Sequence, residues 1–284
     1  MALLGYFTHL GILVCIYAIL AVSLNLALGF TGLLNLGHIA FFGIGAYVAA
    51  LLGLAGLSPW IDIPLAVVIA ALVGVILAIP TARLKGDYLA LATLGFTFII
   101  SSVARNWTSL TRGALGLPGI PRLGSISVVL AFVAGFALLC FLVVVWISRS
   151  SLGRKLQAIR DDELAAQVLG TNTFLYKLIA MGISAAMAGL AGAWYAHYIS
   201  FIDPSIFSIP DLILLIAMVV VGGLASVRGA FIGTVIILLL PEPLRFIGFP
   251  PTLIGPAREM LFALVLLLIL LFRPRGILGK VDIS

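Results

Sequence analysis

The chain has 284 residues, of which 63% are hydrophobic and 9% charged, whereas soluble domains carry roughly 25% charged residues. That composition excludes a water-soluble core and makes residues 1–284 a single membrane domain embedded in a lipid bilayer. The formal net charge of +6 does not describe a nucleic-acid surface, because the basic residues stand singly between apolar runs.

No Asp, Glu, Lys or Arg occurs between Met1 and Ile61; a spanning helix needs only about 20 apolar residues, so this stretch suffices for two crossings. Met1 to Thr8 lacks the basic region of a secretory signal, and the first apolar run is read as a retained span. Apolar blocks follow at about 9–28, 36–56, 63–81, 88–104, 126–147, 176–198, 211–226, 229–241 and 258–272. Backbone in hydrocarbon must satisfy its own hydrogen bonds, and the alternation of a barrel strand is absent. The expected fold is therefore all-α: a polytopic transmembrane helical bundle of about 8–10 spans with Gly-interrupted, discontinuous helices. Gly43, Gly45, Gly182, Gly189 and Gly192 are spaced to let helix backbones approach closely. Cys15 and Cys140 fall inside predicted spans and read as packing residues.

Two Gly-rich interruptions stand out. The first runs from Gly29 through Thr31, Gly32 and Asn35 to His38, and the second from Gly222-Gly223 through Ser226 to Gly229. Short, interrupted apolar segments in the two halves of a chain are the pattern of a substrate path built from broken helices. The competing reading is two ordinary tight loops. Polar residues inside the blocks, namely Asn25, Asn35, His38, Thr93, Thr97, Ser101, Ser102 and His197, are either helix-to-helix hydrogen bonds or contacts along that path. His38 has no second His, Cys or carboxylate at ligand spacing, so a metal site is not expected.

Orientation is read from Lys and Arg in the short loops. With the N-terminus outside, Arg83, Lys85, Arg149, Arg154, Lys155, Arg160, Lys177, Arg228, Arg273, Arg275 and Lys280 are cytoplasmic, eleven of the sixteen basic residues. Arg105, Arg112, Arg122, Arg245 and Arg258 are then external, and three of them share the 105–125 loop.

The longest polar segment, 149–177, is the candidate coupling segment. Within it Leu156, Ile159, Glu163, Ala166 and Gly170 recur at helical spacing, which predicts one or two short amphipathic helices. Mixed charges and small residues suit docking to a protein better than to lipid. Asp161, Asp162 and Glu163 read as a solvated, salt-bridging face, and Asp203 and Asp211 as helix caps.

Glu163, Ala165-Ala166 and Gly170 resemble the Glu-Ala-Ala loop of bacterial ABC importer permeases, with Leu164 inserted. Three further segments resemble the permeases of branched-chain amino acid importers, the LivM/LivH family and its M type above all. They are Ser23-Leu24-Asn25-Leu26 with Gly32 to Tyr47, Leu84 to Phe96, and Pro204 through Gly222-Gly223 to Gly229 and Gly233. Ala225 and Ala230 depart from the Gly and Pro common there.

The resemblance implies an importer of leucine, isoleucine, valine or related solutes in a bacterial or archaeal cytoplasmic membrane. Its partners would be a homologous H-type permease, two cytoplasmic ATPase subunits and an extracytoplasmic solute-binding protein. ATP-coupling residues would be Arg154, Lys155, Arg160, Asp161, Asp162, Glu163, Ala165, Ala166 and Gly170. Path residues would be Asn25, Thr31, Asn35, His38, Thr93, Thr97, Gly222, Gly223 and Ser226. No Gly-x-x-x-x-Gly-Lys-Ser/Thr loop is present, so Mg-ATP is expected on the partner subunits and no cofactor on this chain. No nucleophile motif marks an enzyme. The alternative is an ion-coupled secondary transporter, which wants a buried carboxylate; no Asp or Glu lies well within any block.

Overall fold

A computed structural model describes residues 2–84, 86–243, 251–273 and 275–279. Lys85, Arg245 and Lys280, used above for orientation, lie outside the described residues.

Helix α1 (Ala2–Asn25) runs straight into a π-helical turn, Leu26–Phe30. α2 (His38–Leu54), α3 (Pro59–Thr81), α4 (Gly86–Asn106) and the one-turn α5 (Thr108–Thr111) follow. Pro59 opens α3, where a missing N–H costs nothing. After α6 (Ile126–Arg149), the polar segment forms α7 (Ser151–Asp161) and α8 (Glu163–Val168). The chain then makes α9 (Thr173–Ile199), α10 (Ile209–Gly222), α11 (Val227–Leu239) and α12 (Pro251–Phe272).

Among the described residues five helices are long and apolar enough to cross a membrane. With the shorter apolar α2, α10 and α11, and the apolar α12, nine apolar helices are described, within the expected range. Leu72, Ile76, Phe98 and Leu139 point outward, as lipid-facing side chains do. One small departure from the all-α expectation is a two-residue ladder, Leu117↔Ile202 and Pro118↔Phe201, which ties the 107–125 loop to the end of α9.

The core is α2 and α3 packed on α9. Small residues make that contact possible: a Cβ on Gly45 would fall 2.2 Å from the Gly189 carbonyl oxygen, and one on Gly192 would fall 2.0 Å from that of Phe42. Backbones at that distance gain close van der Waals contact where apolar side chains alone gain nothing over lipid.

α3 starts at Pro59, four residues before the expected block, and this overturns one expectation. Asp62 lies in its first turn and is fully buried. Its Oδ1 is 2.9 Å from His197 Nε2, and His197 Nδ1 donates to the Pro121 carbonyl at 2.8 Å. A carbonyl only accepts, so Nδ1 carries a proton and the His197–Asp62 pair shares one more. A carboxylate inside the apolar bundle therefore exists; the Pro59 start extended the helix beyond the run of strongly apolar residues.

Candidate functional site

The first break is held open by side chains. Asn35 Oδ1 accepts from Gly37 N at 3.0 Å and its Nδ2 donates to Met181 Sδ at 3.2 Å. From α4, Thr93 Oγ1 accepts from Leu36 N at 3.0 Å, and Thr97 Oγ1 donates to the Leu36 carbonyl at 3.1 Å. Thr31 Oγ1 donates to Leu26 O at 3.0 Å. Non-helical backbone within a membrane bundle leaves N–H and C=O groups unpaired, and these hydroxyls and amides supply partners that water cannot. His38 opens α2 between two serines: the Ser23 hydroxyl donates to Leu20 O, so His38 Nε2–H donates to Ser23 Oγ at 2.8 Å, and Ser184 Oγ is 3.4 Å from Nδ1.

The second break is a turn between α10 and α11. Ser226 caps α11 by accepting from Gly229 N at 3.1 Å. Gly223 has φ +110°, and a Cβ there would meet Gly279 N at 2.2 Å. The reason is the tail after α12: Ile277 N and Leu278 N donate to the carbonyls of Val221 and Gly222, both at 3.0 Å. These are end-of-helix acceptors that α10 itself leaves open. Ala225 has φ 57°, the left-handed conformation that favours glycine, at the position where the sequence departs from its resemblance.

Asn25 joins the two breaks. Its Nδ2 donates to Ser226 O at 2.9 Å and its Oδ1 accepts from Ala225 N at 3.1 Å. Gly29 packs against the same turn, so a Cβ there would lie 2.4 Å from Ala225 N.

The polar 149–177 segment reaches this junction. Arg160, on α7, donates from NH1 to the Gly29 carbonyl at 2.9 Å and pairs through NH2 with Asp161 at 2.7 Å. Asp162 is the cap of α8, accepting from Leu164 N and Ala165 N, and it breaks the segment into two helices. Leu156, Ile159 and Ala166 are buried, as their spacing predicts. Arg154, Lys155, Ala165 and Gly170 are exposed, and Lys155 Nζ donates to the Tyr176 hydroxyl at 2.6 Å.

Glu163 departs from the expected solvated face. It is half-buried and paired at 2.6 Å with Lys177, a buried residue that also donates to Ala82 O at 3.1 Å. Lys177 closes the polar 149–177 segment, and nothing local to it in the sequence signals burial.

Sequence reasoning missed a second feature here. Leu164, Val168 and Leu169 are 62%, 87% and 84% exposed, an apolar edge on an otherwise polar segment. Exposed apolar clusters of this kind mark contact surfaces. Helical spacing gave Leu164 no partner on the inner face, which was the available signal.

Of the residues expected on a path, Asn25, Gly222, Gly223 and Ser226 come together, and Asn35, Thr93 and Thr97 form a second cluster. Thr31 and His38 lie on either side of the first break. All of the polar ones are buried and hydrogen-bonded within the protein. Asp203 caps the 3₁₀ turn Pro204–Phe207, as expected, while Asp211 sits in the first turn of α10 and accepts from Ser208 Oγ.

Residues 7–271 match the family model for the permease component of branched-chain amino acid transport systems. The chain belongs to this family. The permease is 33% identical to the high-affinity branched-chain amino acid transport system permease LivM of Salmonella typhimurium, over 93% of this chain and 68% of that protein. It is equally 33% identical to LivM of Escherichia coli, over 94% of the chain and 68% of the relative. LivH of Escherichia coli is 26% identical over 94% of the permease and 92% of its own length. No solved structure matches it. Membrane helices, interrupted spans and family therefore agree on a multi-pass transport permease.

Proposed function

We propose that this permease is one of two homologous membrane subunits of an ATP-binding-cassette importer for branched-chain amino acids in the cytoplasmic membrane. The observation that carries the reading is the continuous contact from α7 through Arg160 and Gly29 to Asn25 and both helix breaks. An energy-transducing partner docked on the exposed apolar edge of α8, Leu164, Val168 and Leu169, would move α7 and so pull on the first break. The breaks act as the bistable element, because buried carbonyls and amides there have discrete partners rather than a continuum of positions. Asn35 and Ser226 are buried, so the proposed path would open only when the breaks rearrange. ATP and Mg²⁺ belong to the partner ATPases, and a solute-binding protein delivers substrate from outside.

Reconstitution tests this. Vesicles holding the permease, its H-type partner and the ATPases should accumulate leucine only with ATP inside and the binding protein outside. Accumulation that persists without ATP, and collapses when the proton gradient is dissipated, would replace this reading with a secondary transporter. The buried Asp62–His197 pair is the observation that favours that second reading.

A further inference from the structure

Between α1, α10 and α12 lies a cavity of about 530 Å³ that neither helix break lines. Its volume is that of a small-molecule site, which is roughly 300–1,000 Å³. Asp211 faces it from the first turn of α10, and Arg258 from α12. The Asp211 carboxylate accepts from Ser208 Oγ, while the Arg258 guanidinium lies 5.3 Å from the centre of the Phe262 ring. The Arg258 Nε–H is buried and has no acceptor. No ion pair links Asp211 and Arg258 among the described residues. Opposite charges in one low-dielectric cavity attract strongly, and charges held apart there leave a place for a ligand bearing both signs. Of the remaining wall, Glu259 adds a second, exposed carboxylate and Tyr17 a phenol, while Leu214, Ala217 and Leu266 are apolar.

The cavity also has a direction. With the N-terminus outside, α10 and α12 both enter the membrane from the external side. Asp211 and Arg258, near the starts of their helices, then sit toward the outer end, and Ala217 and Leu266 lie deeper.

We infer that this cavity is the permease's own outward-facing subsite for a zwitterionic amino acid with an apolar side chain. Arg258 takes the carboxylate, Asp211 the ammonium group, and Leu214, Phe262 and Leu266 the aliphatic side chain. The assignment rests on the importer reading and adds to it a recognition step inside the membrane.

Ala263 lies exposed on the cavity wall, so Ala263→Cys in membranes holding the full importer reports on occupancy. With a membrane-impermeant maleimide, and labelling of the parent protein subtracted, L-leucine should slow modification while L-leucinamide, which lacks the carboxylate, should not. Adding Arg258→Gln should raise the half-protecting leucine concentration by about 10–100-fold, the loss of a charged hydrogen bond. Independently, Ala263→Phe narrows the cavity without replacing any of its charged residues and should shift uptake from leucine toward alanine. Equal protection by leucine and leucinamide, no labelling at all, or unchanged size preference would each overturn the subsite. Parent vesicles that take up no leucine overturn the importer reading itself, whereas normal uptake with leucine-insensitive labelling overturns the subsite alone.

Discussion

The Arg160 guanidinium donates to the Gly29 carbonyl oxygen across 131 residues of sequence, fastening helix α7 to the π-helical turn that ends α1. Gly32 closes the same contact, since a Cβ there would lie 3.0 Å from Arg160 Cγ. The helix that the proposed cycle would move is thus bonded to the backbone whose rearrangement that cycle requires.

Arg160→Ala should uncouple the permease. Removing a charged donor costs about 1.5–3 kcal/mol, enough to disconnect α7 from the break while the bundle stays folded. Substrate-stimulated ATP hydrolysis by the purified assembly should fall to the basal rate, with subunits still co-purifying. Full stimulation in that variant would remove Arg160 from the coupling route.

Asn25 answers for two buried backbone groups at once. Asn25→Ala leaves Ser226 O and Ala225 N without their partners, and at roughly 1–3 kcal/mol for each unsatisfied group the loss should reach about 2–6 kcal/mol. Asn25→Asp keeps the acceptor for Ala225 N but sets an oxygen against the Ser226 carbonyl, so it should not rescue. Thermal unfolding in detergent measures both; a shift as small as that of an exposed substitution contradicts the clamp.

Ala225 is strained where glycine would not be. The left-handed conformation costs roughly 1–2 kcal/mol for a residue with a Cβ, and glycine gives back about 0.5–1 kcal/mol in chain entropy. Ala225→Gly should therefore leave the melting temperature unchanged or raise it. Gly223→Ala should lower it steeply, because the added Cβ runs into the tail at Gly279.

Glu163 and Lys177 form a pair whose halves are worth little alone. Truncating Glu163 strands a buried ammonium group, with a loss near the lower end of 3–5 kcal/mol because Glu163 is partly exposed. The double variant Glu163→Leu with Lys177→Met should be more stable than Glu163→Leu. A double variant showing the sum of the two single losses would mean that the pair is not coupled.

Asp62 separates the two transport readings. Asn at 62 can donate to His197 Nε2 while Nδ1–H still reaches Pro121 O, so Asp62→Asn should cost less than about 1 kcal/mol and leave ATP-driven uptake intact. Asp62→Ala leaves His197 half-paired at about 1–3 kcal/mol. Loss of uptake in a folded Asp62→Asn protein would mean that the proton on this pair takes part in transport.

Membrane spans, both interruptions and the polar helices after α6 were legible because each is a local pattern: a run of apolar residues, a cluster of glycines, a charged stretch at helical spacing. The same locality explains the misses. Asp62 flanked an apolar block, and only the Pro59 helix start drew it inside. Glu163 looked solvated because its partner stands 14 residues away on the next helix. Leu164, Val168 and Leu169 looked like ordinary apolar residues until their outward direction was known.

The sequence by itself determined that this chain is a helical membrane permease, since hydropathy and family motifs are written residue by residue. Only the tertiary structure decided that Asn25 bonds to Ser226 across 201 positions, that α7 reaches Gly29, and that Asp211 and Arg258 share a cavity. Those contacts depend on which helices pack together, and packing is set by small residues meeting across α2, α3 and α9 rather than by any pattern along the chain.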